Sequence, residues 1–353
     1  MTALMPNPAR ALTGLADLER EGLTDPAQRA ALTPVAETFR IRITPAMQAA
    51  IKGADDGVGR QFIPTEAEAE INEGDLHDPI GDHVHMVAPG LTHRYPDRVI
   101  LALTQTCDVY CRFCFRRETV GDTGALSDAE LDLAMDYLAR TPAVREVVLT
   151  GGDPLTLSPR RIAGVMDRLA ALPNIDIVRI HSRVPVVAPE RITPALTDAL
   201  GRHPLVWLVV HTNHVQELTE DARAALARLT AAGVPLLSQT VLLRGVNDQA
   251  ETLADLFRAL VRLRVKPYYL HHCDLARGAG HFRTTIAEGR AIMARLRGMI
   301  SGLCIPTYVL DTPGGFGKVP LTESYVTPTD TPGSHMVRDH AGRIHPYHDP
   351  VRD

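Results

Sequence analysis

From Arg98 onward the chain alternates between short apolar runs and longer segments whose apolar residues recur every three or four positions. That alternation restricts the fold more than any other feature. The strand-like runs are RVILALT (98–104), REVVLTG (145–151), DIVRIHS (176–182), LVWLVVH (205–211), PLLSQTVLL (235–243) and KPYYLHH (266–272). Between them lie the helical patterns SDAELDLAMDYLART (127–141), SPRRIAGVMDRLAAL (158–172), TPALTDALGR (193–202), TEDARAALARLTAAG (219–233) and QAETLADLFRALVRLR (249–264). Ser127 with Glu130, and Ser158 before Pro159, suit helix starts, and Gly233 suits a helix end. Such βα-like units imply a parallel sheet with near-continuous apolar strands. Six units fall short of the eight that close a TIM barrel. The expected fold is therefore α/β, a partial (β/α)6 TIM-like barrel that stays open.

The rest of the chain divides around that unit. Residues 1–95 read as a helical, proline-punctuated extension with acidic stretches such as EAEAEINEGD (66–75) and no sustained strand pattern. Residues 96–303 form the barrel. Residues 304–353 form a short C-terminal segment in which CIPTYVLDTPGGFGKVPLTESYV (304–326) adds a strand-like piece, and the polar end, HMVRDHAGRIHPYHDPVRD (335–353), reads as a frayed tail. A chain of 353 residues with 45% hydrophobic residues can bury a sizeable core. A net charge of −5 gives no electrostatic footprint for nucleic acid or a membrane surface. No run of 18 apolar residues occurs, and Met1–Arg10 lacks the form of a signal peptide. Five cysteines, three of them in one loop, do not make a disulfide framework, so the expected compartment is the reducing cytoplasm.

Those three cysteines, Cys107, Cys111 and Cys114, follow the first strand-like run in TQTCDVYCRFCFRRE with the spacing C-x3-C-x2-C. Three thiolates can hold a four-iron cluster while one iron stays open to a small molecule. A structural zinc site competes poorly, because zinc prefers four ligands and the nearest upstream histidine, His93, is distant. Three unrelated core cysteines are also disfavoured by so tight a spacing.

In parallel α/β folds, sites gather at the carboxyl ends of strands. Here those ends carry the cysteine loop, Gly151-Gly152-Asp153, His181-Ser182-Arg183, His211 with Asn213, Gln239 within the fifth run, and His271 to Asp274. Only three of the 37 basic residues are lysine, and one of them, Lys318, follows the run Gly314-Gly315-Phe316-Gly317. Read from spacing alone, Lys318 is more readily a surface lysine on a flexible turn than the reactive amine of a sheltered site.

The cysteine spacing resembles that of the radical S-adenosylmethionine (SAM) enzymes. The runs LTHRYPDRV, YCRFCFRR, TGGDPL, VLLRGVND, CDLARGAGHFRT and DTPGGFGKVP resemble, more narrowly, the lysine 2,3-aminomutases, from about Leu91 to about Tyr325. The resemblance implies a 4Fe-4S cluster on Cys107, Cys111 and Cys114. It implies SAM held by Gly151, Gly152, Asp153, His211 and Gln239. It implies pyridoxal 5′-phosphate (PLP) carried by Lys318, with Arg94, Tyr95 and Arg98 around its ring and phosphate. It also implies a lysine substrate gripped by Arg116 at its carboxylate and by Asp274 and Asp311 at its distal ammonium. The implied reaction is conversion of L-lysine to β-lysine, begun by a SAM-derived radical and completed by PLP-assisted migration of nitrogen from C2 to C3. A homo-oligomer and an electron donor such as flavodoxin or ferredoxin come with it.

The chain departs from the longer clostridial-type enzymes in having no cysteine after Cys304 and Gln249 at the remaining zinc-ligand position, and in having His271 where a tyrosine is usual. His181 and His271 resemble the shorter relatives that act on lysine of elongation factor P, which lack the Asp311 pattern. Two alternatives stand beside the main reading: a mutase supplying β-lysine for elongation factor P, and an iron–sulfur electron-transfer protein without turnover.

Overall fold

The computed structural model describes residues 10–350; the expectation that Met1–Arg10 is not a signal peptide concerns residues that, apart from Arg10, lie outside the described ones. One ten-stranded sheet runs in sequence order: β1 (Met86–Ala88), β2 (Leu91–Tyr95), β3 (Arg98–Thr104), β4 (Glu146–Gly151), β5 (Ile177–Ser182), β6 (Val206–His211), β7 (Leu236–Leu242), β8 (Val265–His272), β9 (Thr307–Thr312) and β10 (Gly317–Pro320). Pairing is parallel from β3 through β9 and antiparallel at both ends, where β1 and β2 precede β3 and β10 folds back on β9. No ladder joins β10 to β1 among the described residues, so the barrel is partial and open.

The helices form where the sequence offers caps. Ser127 Oγ accepts from the Glu130 N–H while Glu130 accepts from the Ser127 N–H, closing a capping box on helix Asp128–Arg140. Ser158, Thr193 and Thr219 cap helices Pro159–Ala170, Pro194–Gly201 and Glu220–Ala231, and Pro at the first position of two of them costs no hydrogen bond. Gly233, at φ +77°, ends the last of these. Buried faces of these helices, such as Leu253, Leu256, Phe257 and Leu260 of helix Ala250–Arg262, share one core with the strands.

Two expectations are corrected. Strands begin before Arg98: Met86–Ala88 and Leu91–Tyr95 extend the sheet, although both are short and the second is half-polar, and so they carry little periodic signal. The polar end is not frayed. Val326–Pro328, Ser334–Arg338 and Ile344–His348 form β11, β12 and β13 of a separate antiparallel sheet, with pairing that the mixed composition hides; residues 351–353 lie outside the described part. The N-terminal extension packs into the main core through Leu12, Ile43, Met47 and Phe62. No helix among the described residues is long and apolar enough to cross a membrane.

Candidate active site

Parallel pairing brings the carboxyl ends of β3 to β9 to one side of the sheet, and there they surround a cavity of about 370 Å³. All fifteen residues singled out from the sequence line it. The structure thus gathers residues from Arg94 to Lys318 into one place, and their local geometry falls into three groups.

The first is the cysteine loop. Cys107, Cys111 and Cys114 leave the end of β3 on a stretch whose side chains are clamped from below. The Glu68 carboxylate, on the short turn Glu66–Ala69 of the N-terminal extension, accepts from Arg112 at 2.6 Å and also from Arg117. Burial, and then the neighbouring negative groups, push the Cys107 thiol well up; Cys114 is pushed up to about 11 by burial and by Cys111. Thiolates at such positions require positive charge close by. Among the described residues no three His, Cys, Asp or Glu side chains gather around a single ion. A cubane makes a different demand, since each thiolate binds its own iron. The donor set fits a 4Fe-4S cluster.

The second group is the glycine turn after β4. Gly151 has φ +105°, and a Cβ there would lie 2.7 Å from the Thr104 carbonyl oxygen; a Cβ on Gly152 would overlap the Thr106 carbonyl. The backbone is pressed against the cysteine loop, and only glycine permits it. Asp153 holds this turn. Its carboxylate accepts from the Ser182 hydroxyl at 2.7 Å and from the N–H groups of Leu155, Arg183 and Val184 at 3.0, 2.6 and 3.1 Å. Burial pushes the Asp153 carboxyl up to about 6 against those four donors. Those contacts tie the glycine turn to the end of β5, so Asp153 orders the turn as well as lining the cavity. His211, at the end of β6, lies opposite Gln239 of β7 in register. Burial holds its imidazole neutral, and its Nε2 is buried without a partner. An unpaired buried ring nitrogen and a glycine-lined backbone cradle fit a polar ligand such as SAM.

The third group surrounds Lys318. In the β9–β10 hairpin Lys318 pairs with Asp311, and Lys318 Nζ donates to Asp311 Oδ1 at 2.7 Å. His271 Nδ1 lies 3.5 Å and Arg94 Nη2 3.8 Å from the same carboxylate. Burial alone would raise the Asp311 carboxyl, but His271 and Lys318 hold it well below the usual range. Asp274 has no ion-pair or hydrogen-bond partner for its carboxylate among the described residues, and burial and then Asp311 push it up to about 7. The Tyr95 hydroxyl accepts from the Lys318 N–H at 2.7 Å, and its ring lies 4.2 Å below the Arg98 guanidinium. Arg94 donates to the Ile80 carbonyl at 2.7 Å, and its Nε is buried without a partner. Arg116 donates through Nε to Asp82 at 2.7 Å, with Nη1 3.4 Å from Thr150 Oγ1. An amine flanked by two arginines, one with an unspent donor, fits PLP and its phosphate.

Sequence reasoning placed His181 and His271 at strand ends without a role. Both are half-buried imidazoles held neutral by desolvation, with buried, unpartnered Nε2 atoms in the cavity wall. It missed Tyr268 and Tyr269, whose hydroxyls are 2.9 Å apart and which also line the cavity. It assigned nothing to Arg183, which reaches Cys111 from a segment far along the chain.

Comparison with known proteins agrees with this geometry. Residues 101–257 match the Radical SAM superfamily and residues 293–352 the family described as Lysine-2,3-aminomutase. An L-lysine 2,3-aminomutase of Fusobacterium nucleatum is 44% identical over 89% of this chain and 74% of its own length. One of Clostridium subterminale is 43% identical over 89% of this chain and 76% of its own. A glutamate 2,3-aminomutase of Clostridioides difficile is 37% identical over 84% and 71%.

Proposed function

The chain belongs to the lysine 2,3-aminomutase family of radical SAM enzymes, and from that premise we propose that it converts L-lysine to β-lysine in the cavity beneath Lys318. It is an isomerase of the radical SAM aminomutase kind. When bound, the 4Fe-4S cluster supplies the electron that cleaves SAM to a hydrogen-abstracting radical, and PLP supplies the conjugated system over which nitrogen moves from C2 to C3.

The chain's own residues bind, orient and exclude water. Cys107, Cys111 and Cys114, which line the cavity, would hold the cluster through three thiolates. The Gly151-Gly152 backbone, with His211 and Gln239, holds SAM against it, and Asp153 keeps that turn in place. Lys318 carries PLP on Nζ, and Arg94, Tyr95 and Arg98 receive its ring and phosphate. Arg116 takes the substrate carboxylate. Asp274 and Asp311 take the distal ammonium. Fixing both ends of the substrate sets C3 at one position, and fixed reactants contribute much of such a rate enhancement. The cavity walls keep water from the radicals.

The observation that carries the lysine reading is the pair of carboxylates at Asp274 and Asp311. An amine, that of Lys318, already rests on Asp311 at 2.7 Å, and it is the same chemical group as the end of a lysine substrate. Asp274 is a half-buried carboxyl without a protein partner among the described residues, and its charged form is disfavoured by burial and by Asp311 unless a cation arrives. The distal carboxylate of glutamate would add a third anion there, so this arrangement favours lysine. A flavodoxin or ferredoxin as reductant, and a homo-oligomer, complete the proposal. Supply of β-lysine to elongation factor P would use the same chemistry; His181 and His271 resemble the relatives with that role, and Asp311, which those relatives lack, does not.

Borohydride reduction of the PLP-loaded protein, followed by peptide mass analysis, tests the role of Lys318. A pyridoxyl mass on Lys318, with loss of PLP retention in Lys318→Ala, is the expected result. Full PLP retention and turnover in Lys318→Ala would overturn it.

A further inference from the structure

Resting on the assignment of Cys111 as a cluster ligand, we propose that Arg183 is a positioning residue that sets the reduction potential of the cluster through a charge-assisted hydrogen bond to the Cys111 sulfur. Arg183 follows the end of β5, and its Nη1 lies 2.7 Å from Cys111 Sγ. Among the described residues it is the one side chain that donates to any of the three cluster cysteines.

The guanidinium is held there from behind. Its Nη2 donates to Glu217 Oε2 at 2.7 Å and to Gln61 Oε1 at 2.5 Å. Glu217 in turn accepts through Oε1 from the N–H groups of Asn213 and His214 at 2.8 and 2.9 Å and from Gln61 Nε2 at 3.0 Å. The side chains of Arg183 and Glu217 are 6% and 0% exposed. The Arg183 N–H is tied to Asp153, and so to the glycine turn. Three separate segments, those of Gln61, Arg183 and Glu217, therefore converge to aim one N–H at one thiolate.

Burying this ion pair is expensive, and an ion pair needed only for packing would close on itself. Here one arm of the guanidinium is directed at sulfur instead. Reduction adds a negative charge to the cluster and its thiolates. A cationic donor on a thiolate stabilises that reduced form, and hydrogen bonds to the sulfurs are among the factors that set such potentials. Glu217 opposes the effect by partly neutralising Arg183. The two residues thus shift the potential in opposite directions: Arg183 makes the cluster easier to reduce, and Glu217 makes it harder.

The test is a redox titration of the 4Fe-4S signal, followed by electron paramagnetic resonance, in the cluster-loaded full chain and two variants. Glu217→Gln keeps the donor and removes the opposing charge, so its midpoint potential should be less negative than that of the unaltered protein. The double variant Arg183→Met with Glu217→Gln removes the donor without leaving a buried carboxylate unpaired. Its potential should be more negative, by about a tenfold change in the reduction equilibrium, equal to 59 mV for one electron. A purely structural role would change cluster retention and would not shift the two potentials in opposite directions. If the double variant takes up no cluster, Glu217→Gln still decides the matter, and an unchanged potential there overturns the proposal. An unaltered protein that binds no iron would overturn the site assignment and this inference with it. Loaded clusters of equal potential in all proteins would overturn this inference alone.

Discussion

Asp274 lies in the cavity wall with its carboxyl pushed up to about 7, by burial first and by the charge of Asp311 second. A raised carboxyl is protonated below that value, and the protonated form cannot pair with an ammonium. The KM for lysine should therefore rise as pH falls through about 7, with kcat affected less. Asp274→Asn should remove that pH dependence and raise KM by roughly 10- to 100-fold, the scale of a charge-assisted hydrogen bond. A pH series of KM in both proteins checks this, and equal values throughout would contradict the assignment. At this scale the sequence was informative where chemistry is local. The C-x3-C-x2-C spacing and the strand-end positions found residues that do line one cavity. It was silent where a contact joins distant segments. Arg183 and Cys111 are 72 positions apart, and nothing in either neighbourhood announces the other.

Among elements, the join between the N-terminal extension and the cysteine loop matters most. Glu68 is fully buried and bonded to both Arg112 and Arg117. Replacing it by glutamine would leave two buried guanidinium groups without a counter-charge, and breaking such a group costs about 3–5 kcal/mol. Glu68→Gln should lower the melting temperature by several degrees and reduce iron retained per chain; unchanged values for both would show that the clamp is dispensable. Burial alone would raise the Glu68 carboxyl, but Arg112 and then Arg117 hold it below its ordinary value. Its stabilising contribution is therefore complete above the unfolded carboxyl's range, near pH 4, and is lost as pH falls through the lower folded value. At the glycine turn, Gly152→Ala would force a Cβ into the Thr106 carbonyl. Because that carbonyl immediately precedes Cys107, weakened SAM binding by equilibrium dialysis together with lower iron content per chain is expected. Capped helices and the apolar parallel strands were legible in the sequence because their signals are periodic. β1, β2 and the small terminal sheet were not, since each of their strands is only three to five residues long, and all but the three-residue β1 mix polar with apolar positions.

Across the whole molecule, the parallel strands β3 to β9 form a scaffold whose ends converge on one chamber, while the sheet of β11 to β13 contributes no residue to that chamber. A chain ending at Tyr325 is therefore expected to bind iron and cleave SAM, read as iron content and 5′-deoxyadenosine formed. Loss of both would show that the small sheet supports the site from outside. The open partial barrel could be read from six alternating units. Its completion by β9 and β10 depended on the hairpin that sets Asp311 opposite Lys318; the glycine run marks the turn, but the register that pairs those two residues is not written in it. The central claim is that this chamber moves the amino group of lysine. The most direct measurement is an anaerobic assay of the reconstituted protein with SAM, PLP, a reductant and L-lysine, following β-lysine by mass spectrometry. Repeated turnover to β-lysine, absent without SAM, is the expected result. SAM cleavage with no β-lysine from free lysine would contradict it.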